Sequence, residues 1–249
     1  QDAFEDHIIQ APGMEHVRDM VNGPIIPTPG AVMECAKLLY DCIGDLVVLD
    51  VGGATTDLHS VTVGSEEISR ILVSPEPVAK RTVEGDLGVY VNMRNIVDII
   101  GRDKLTEELQ IDIDRVMETY NAVPENEDEV KFVERLALEA VLKATERHAG
   151  RIRYVYGPSG RNTLAEGKDL TQVKYVIGTG GALTRLPHRV EMMESIAKHN
   201  ENGLLLFPNE EAKILVDDDY IMATLGVLSK NYRQAAIYFL EKSLKIKLK

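Results

Sequence analysis

The chain has 249 residues, 44% of them hydrophobic and 27% charged, with a net charge of −12. That is enough chain to bury a substantial core in one large domain or two small ones. The acidic balance argues against non-specific binding to nucleic acid or to an anionic membrane, both of which need a basic surface, and no apolar run approaches the ~18 residues that span a bilayer.

In chain order, Gln1–Met20 is polar, lacks an opening strand and begins without methionine or the features of a signal peptide. It reads as part of a longer protein, so that residues 1–30 are the remnant of a preceding lobe and its connector. Residues 22–30 form a proline-rich connector. A helix is predicted over Gly30–Tyr40, with Ala31, Val32, Cys35, Leu38 and Leu39 as its apolar face. Gly30, Ala31 and Ala36 suit close packing against a second element. Cys35 and Cys42 lie seven apart in a helical-looking segment and read as two buried thiols of a cytoplasmic protein rather than a metal pair or a disulfide.

Leu46–Val63 is the most informative stretch. An apolar strand ends in Asp50-Val51-Gly52-Gly53-Ala54-Thr55-Thr56-Asp57 and the chain re-enters a β-rich run with no helix start signal. Most phosphate-holding glycine loops lead from a strand into a helix. This one reads as a hairpin tip, a different class of nucleotide site. A third strand is predicted over Ile68–Val73, after which Pro75 and Pro77 break the pattern. Helices follow over Val91–Gly101, Thr106–Tyr120 and Glu127–His148. Strands are expected at Ile152–Tyr156 and Val173–Ile177, separated by the turn Gly157–Arg161. Arg161 and Lys168, flanking this loop, read as solvated cations, with contact to phosphate or base as the alternative. A helix over Arg189–His199, a strand-like Lys213–Val216 and three helix-capping aspartates, Asp217–Asp219, come next. The tail, Asn231–Lys249, reads as a basic amphipathic surface or interface helix.

Two glycine turns thus each close an apolar strand, Gly52-Gly53 and Gly178–Gly181. Glycine lets backbone N–H groups approach phosphate, and successive N–H groups form an anion nest. Thr55 and Thr56 add hydroxyl donors. Asp50, at a strand end, is placed to hold Mg²⁺ through water or to orient an attacking water, with Asp57 acting behind it. Either turn alone is more often only a turn, and Gly178–Gly181 alone equally suits the start of a dinucleotide-binding helix. A dehydrogenase would require a helix directly after Gly53 or an acidic residue suitably spaced after Gly178, and Glu191, Glu194 and Glu201 do not supply it.

In combination and order these motifs resemble the actin/Hsp70/sugar-kinase ATPase superfamily. Asp50–Asp57 looks like its second phosphate motif and Val176-Ile-Gly178-Thr179-Gly180-Gly181-Ala182-Leu like its adenosine motif. Pro27–Ala31 and Asp219–Gly226 look like its two interdomain connecting helices. The wording of Val48–Val61, of Thr82-Val-Glu84-Gly85-Asp86-Leu-Gly88 and of Gly178–Pro187 is closer still to the L component associated with glutamate mutase, a family regarded as reactivating factors for adenosylcobalamin-dependent aminomutases. The resemblance implies a ribonuclease-H-like α/β lobe with a mixed sheet flanked by helices. Its core would be residues 31–75 and 151–249, with 76–150 an inserted helical subdomain. It also implies ATP and Mg²⁺ as cofactors and mutase subunits as partners, and leaves a homo-oligomer open. Gly52, Gly53, Ala54 and Thr55 would hold the β- and γ-phosphates, Gly178, Thr179, Gly180, Gly181 and Ala182 the adenosine and α-phosphate, and Asp50 and Asp57 the metal. Glu84, Gly85 and Asp86 match a segment that approaches the nucleoside, and equally read as a charged turn.

One departure stands out. The superfamily's first phosphate motif is absent, which implies half of an ATP cleft and puts autonomous hydrolysis in doubt. A small-molecule kinase and an actin-like scaffold are the competing readings. Asp57-Leu58-His59 opens like a base-off cobalamin motif, but position 62 is Thr, so His59 reads as a strand side chain. The other histidines form no metal-binding spacing.

Overall fold

The computed structural model describes residues 20–21, 25–158, 160–200 and 202–248. The expectations for residues 1–19 and 22–24 lie outside the described residues.

Helix α1, Thr28–Ile43, starts on Pro27 and Pro29 and stops at Gly44, the Pro-in, Gly-out asymmetry of helix ends. Strands β1, Leu46–Val51, and β2, Thr56–Val61, form the expected hairpin, with Asp50 opposite Asp57. The third sheet strand is not Ile68–Val73. Ser65 caps a short helix α2, Glu66–Ser69, through Ile68 N–H; Ser-Glu-Glu is a helix-start signature that outweighs the β-branched residues behind it. Leu72 makes only an isolated bridge to Ala165. The strand is β3, Ala79–Glu84, past the two prolines.

Helix α3, Met93–Ile100, follows. The single helix expected over Thr106–Tyr120 is two, α4 (Arg102–Leu109) and α5 (Ile113–Thr119). Gln110 ends the first in the left-handed region and the Asp112 side chain caps the second. The long helix α6, Glu127–His148, has the predicted bounds, with the Asn126 side chain accepting from Glu129 N–H. Then come the hairpin β4 (Arg151–Gly157) and β5 (Gly160–Glu166), strand β6 (Tyr175–Thr179), helices α7 (Gly180–Arg185) and α8 (Arg189–Lys198), strand β7 (Lys213–Val216), and helices α9 (Met222–Leu228) and α10 (Arg233–Ser243).

The main sheet has five strands in the order β3-β2-β1-β6-β7. β1, β2 and β3 form an antiparallel meander; β6 and β7 extend it in parallel. This mixed α/β architecture is consistent with the expected actin-type lobe. The stretch 76–150 contributes the edge strand β3 as well as helices. One core lies between the sheet and α3–α8, around Leu49, Leu58, Phe132, Leu136 and Leu183. The other lies between the sheet and α1, α9 and α10, around Leu39, Val48, Ile177 and Leu240. β1 is buried along its whole length, as a central strand covered on both faces must be. Helices α1 and α9 approach closely: Gly226 lies against the Ala31 carbonyl and the Cys35 amide. The small-residue surface of α1 has therefore found its second element. Cys35 is buried and Cys42 half-buried. Among the described residues no helix is long and apolar enough to cross a membrane.

Candidate functional site

The parallel strands β1, β6 and β7 end together, and loops at the carboxyl edge of such strands are where α/β sheets place ligands. The hairpin tip is tight: Gly52 N–H donates to the Thr55 carbonyl at 2.9 Å. Its outward carbonyls are all taken by the segment after β3. Val89 N–H reaches Gly52 O at 3.1 Å, Tyr90 and Val91 N–H reach Gly53 O at 2.9 and 2.7 Å, and the Asn92 amide reaches Ala54 O at 2.7 Å. Gly88 lies so close to Ala54 that a Cβ there would stand 2.3 Å from its carbonyl. With the carbonyls occupied, the amides of Gly53, Ala54 and Thr55 remain without an acceptor among the described residues. Gly53 and Ala54 are exposed. The tip therefore offers a row of donors, as an anion nest does.

The second glycine turn meets the first. Thr179 pairs with Asp50 across β6 and β1, and Gly180, at φ +83°, lies directly on the Asp50 carboxylate. Gly181 faces open space, and Ala182 is buried in α7. Asp50 is itself buried, and burial together with the Asp217 charge pushes its pKa up to about 6. Burial and then Asp50 push Asp57 up to about 7. Thr55 Oγ1 lies 3.5 Å from Asp57 Oδ2, while Oδ1 is buried with no partner among the described residues. Among the described residues no group of three or more acidic, His or Cys side chains stands ready for a metal. Mg²⁺, which keeps several waters and takes one or two carboxylates beside phosphate, fits a pair such as Asp50 and Asp57.

Other expected residues are engaged internally. The Thr56 hydroxyl donates to the Leu87 carbonyl at 2.7 Å, and the Thr179 hydroxyl donates to Asp217 Oδ2 at 2.9 Å. Glu84 ends β3 opposite Thr56. Both Glu84 and Asp86 are gripped by Arg147 of α6, at 2.7 Å each, with nothing within reach of a Cβ at Gly85 between them. Lys168 is not a solvated cation. It is buried and donates to the carbonyls of Thr62, Pro77 and Val78, and burial lowers its pKa. Arg161 is exposed and stacks over Tyr154, 4.6 Å from the ring centroid. His59 is a buried side chain of β2.

Sequence reasoning missed the role of Asp217. It does receive a helix amide, Met222 N–H at 2.9 Å, but it also holds Thr179 and the Ser243 hydroxyl, the latter at 2.6 Å. The available signal was an aspartate at the end of an apolar strand, the same signal that singled out Asp50.

A family described as MutL protein matches residues 1–244. Protein MutL of Clostridium tetanomorphum is 36% identical over 256 residues, an alignment covering 97% of this chain and 55% of that protein. The chain thus spans about half the length of this relative. On both grounds the chain belongs to the MutL protein family.

Proposed function

We propose that this chain supplies one side of a Mg-ATP site in a protein that reactivates an adenosylcobalamin-dependent aminomutase of the glutamate mutase type. The observation that carries the nucleotide reading is the juxtaposition of three things at one sheet edge: the amides of Gly53–Thr55 and the Asp57 Oδ1, all without a partner among the described residues, and the glycine at 180 against Asp50. The mutase reading rests on family membership and on the resemblance of the motif wording.

In this reading the hairpin amides take the terminal phosphates and Asp50 and Asp57 hold the metal through its waters. The loop Gly178–Ala182 takes the adenosine side. Asp50, at the end of β1 with Gly180 against its carboxylate, is also placed to orient an attacking water. The bound nucleotide contributes a phosphoanhydride whose hydrolysis drives exchange of damaged cofactor on the mutase. The complementary phosphate and metal groups belong to the rest of the protein, which the relative's length accommodates.

The test is calorimetric titration of the full-length protein with Mg-ATP beside Asp50→Ala, followed by recovery of an inactivated mutase. Binding that weakens at least about tenfold in the variant, with ATP-dependent recovery by the parent alone, is the expected result. Equal binding by both proteins would remove Asp50 from the site.

A further inference from the structure

The three peptide units at the hairpin tip are each held from behind. In a trans peptide the carbonyl and the N–H that follows it point in opposite directions, and no cis bond occurs among the described residues. A bond to the Gly52 carbonyl therefore aims Gly53 N–H, one to the Gly53 carbonyl aims Ala54 N–H, and one to the Ala54 carbonyl aims Thr55 N–H. The backbone N–H groups of Val89, Tyr90 and Val91 hold the first two units. The third is different. The partner of the Ala54 carbonyl is a side chain, the Asn92 amide at 2.7 Å.

Asn92 stands immediately before α3, where an asparagine ordinarily turns its side-chain oxygen onto a helix N–H. It makes no such cap here. Its Nδ2 donates instead to two carbonyls, Ala54 at 2.7 Å and Gly85 at 2.8 Å, which uses both of its hydrogens. The Gly85 end is fixed in turn, because Arg147 of α6 grips Glu84 and Asp86 on either side of it. One side chain thus ties the hairpin tip to a turn that the long helix holds. Neither capping nor core packing accounts for this asparagine, which is half-buried.

We infer that Asn92 is a positioning residue of the anion site, its amide holding the Ala54–Thr55 peptide so that Thr55 N–H faces the bound phosphate. The inference rests on the Mg-ATP reading above. It is tested in the full-length protein by calorimetric titration of Asn92→Ala and Asn92→Ser with Mg-ATP, beside the nucleotide-free unfolding midpoint of each. Alanine removes both bonds. Serine is neutral and as good a helix cap as asparagine, but its hydroxyl carries one hydrogen where two carbonyls must be joined. Both variants should bind Mg-ATP about tenfold more weakly than the parent, with the midpoint of Asn92→Ser within about 3 °C of the parent's. Parent-like affinity in Asn92→Ala overturns the inference while leaving the nucleotide reading intact. Parent-like affinity in Asn92→Ser does the same, because the residue would then be serving as a cap of α3, and it decides the matter should Asn92→Ala fail to fold. Weaker binding by Asn92→Ser with a larger fall in its midpoint also overturns the inference, since the amide would then be supporting the fold. A parent protein that does not bind Mg-ATP overturns the nucleotide reading and this inference with it.

Discussion

Gly180 lies on the Asp50 carboxylate so closely that a methyl group at position 180 would stand 2.4 Å from Asp50 Oδ1 and 2.6 Å from the Val51 carbonyl. The two glycine turns, remote in sequence, are joined at this contact. Gly180→Ala adds a collision with backbone to the strain of φ +83°, and should cost roughly 1–3 kcal/mol. Gly181→Ala, one residue on in the same helix, meets nothing within 4 Å and should be neutral or stabilising by about 0.5–1 kcal/mol. Chemical denaturation of the pair checks this. Equal midpoints would show that the Asp50 contact places no demand on residue 180.

The crossing of α1 and α9 makes a second demand on glycine, of another kind. A Cβ at Gly226 would stand 1.8 Å from the Ala31 carbonyl, and carbonyl oxygen on a helix has no rotamer to escape into. Gly226→Ala must therefore separate the helices, opening the core around Val32, Cys35 and Leu225. The expected loss is about 1–3 kcal/mol or more, read as a lower denaturation midpoint. A variant as stable as the parent would mean that the helices do not cross here.

Asp50 and Asp57 make stability depend on pH. Their folded-state pKa values, about 6 and about 7, exceed the ordinary carboxylate value near 4. Between about pH 4 and pH 7 the folded chain therefore binds more protons than the unfolded one, and stability falls as pH rises through that window. Asp50→Asn removes the charge and much of the repulsion on Asp57. It should match the parent at pH 4 and exceed it by roughly 1–3 kcal/mol at pH 8, a gap that Mg²⁺ narrows if the metal binds the parent's carboxylates. A gap that does not change between pH 4 and pH 8 would count against the buried acidic pair.

How far the sequence could be read follows from the range of each interaction. The Asp50–Asp57 hairpin was legible because strand, turn and strand are contiguous and β-branched residues resume at once after the glycines. The edge strand was misplaced because Ile68–Val73 carries more β-formers, whereas Ala79–Glu84 is half charged, with Lys80, Arg81 and Glu84, and owes its pairing to β2. Tertiary context overrides propensity there. Asp217 looked like a cap because its local role is one; its bonds to Thr179 and Ser243 become visible only when β6 and α10 are brought beside it. Arg147 and Lys168 were out of reach for the same reason, since their partners Glu84, Asp86, Thr62 and Pro77 lie on distant segments.

His148 is a fully buried example of such a long-range tie. From the last turn of α6 its ring spans two strands, Nε2 lying 2.7 Å from Ser60 Oγ and Nδ1 2.9 Å from Thr82 Oγ1. Burial, with the positive charge of Lys80 nearby, pushes its pKa down to about 3. The ring is thus neutral in the fold, and its contribution is complete above pH 6.5 and lost as pH falls toward 3. His148→Ala leaves a cavity and two hydroxyls without partners, so it should cost roughly 2–4 kcal/mol at pH 7.5. Because the variant no longer has this imidazole to protonate on unfolding, the difference from the parent should shrink steadily between pH 6.5 and pH 4.5. Urea denaturation at intervals of pH measures it. A difference that stays constant across that range would mean that His148 is not held neutral between Ser60 and Thr82.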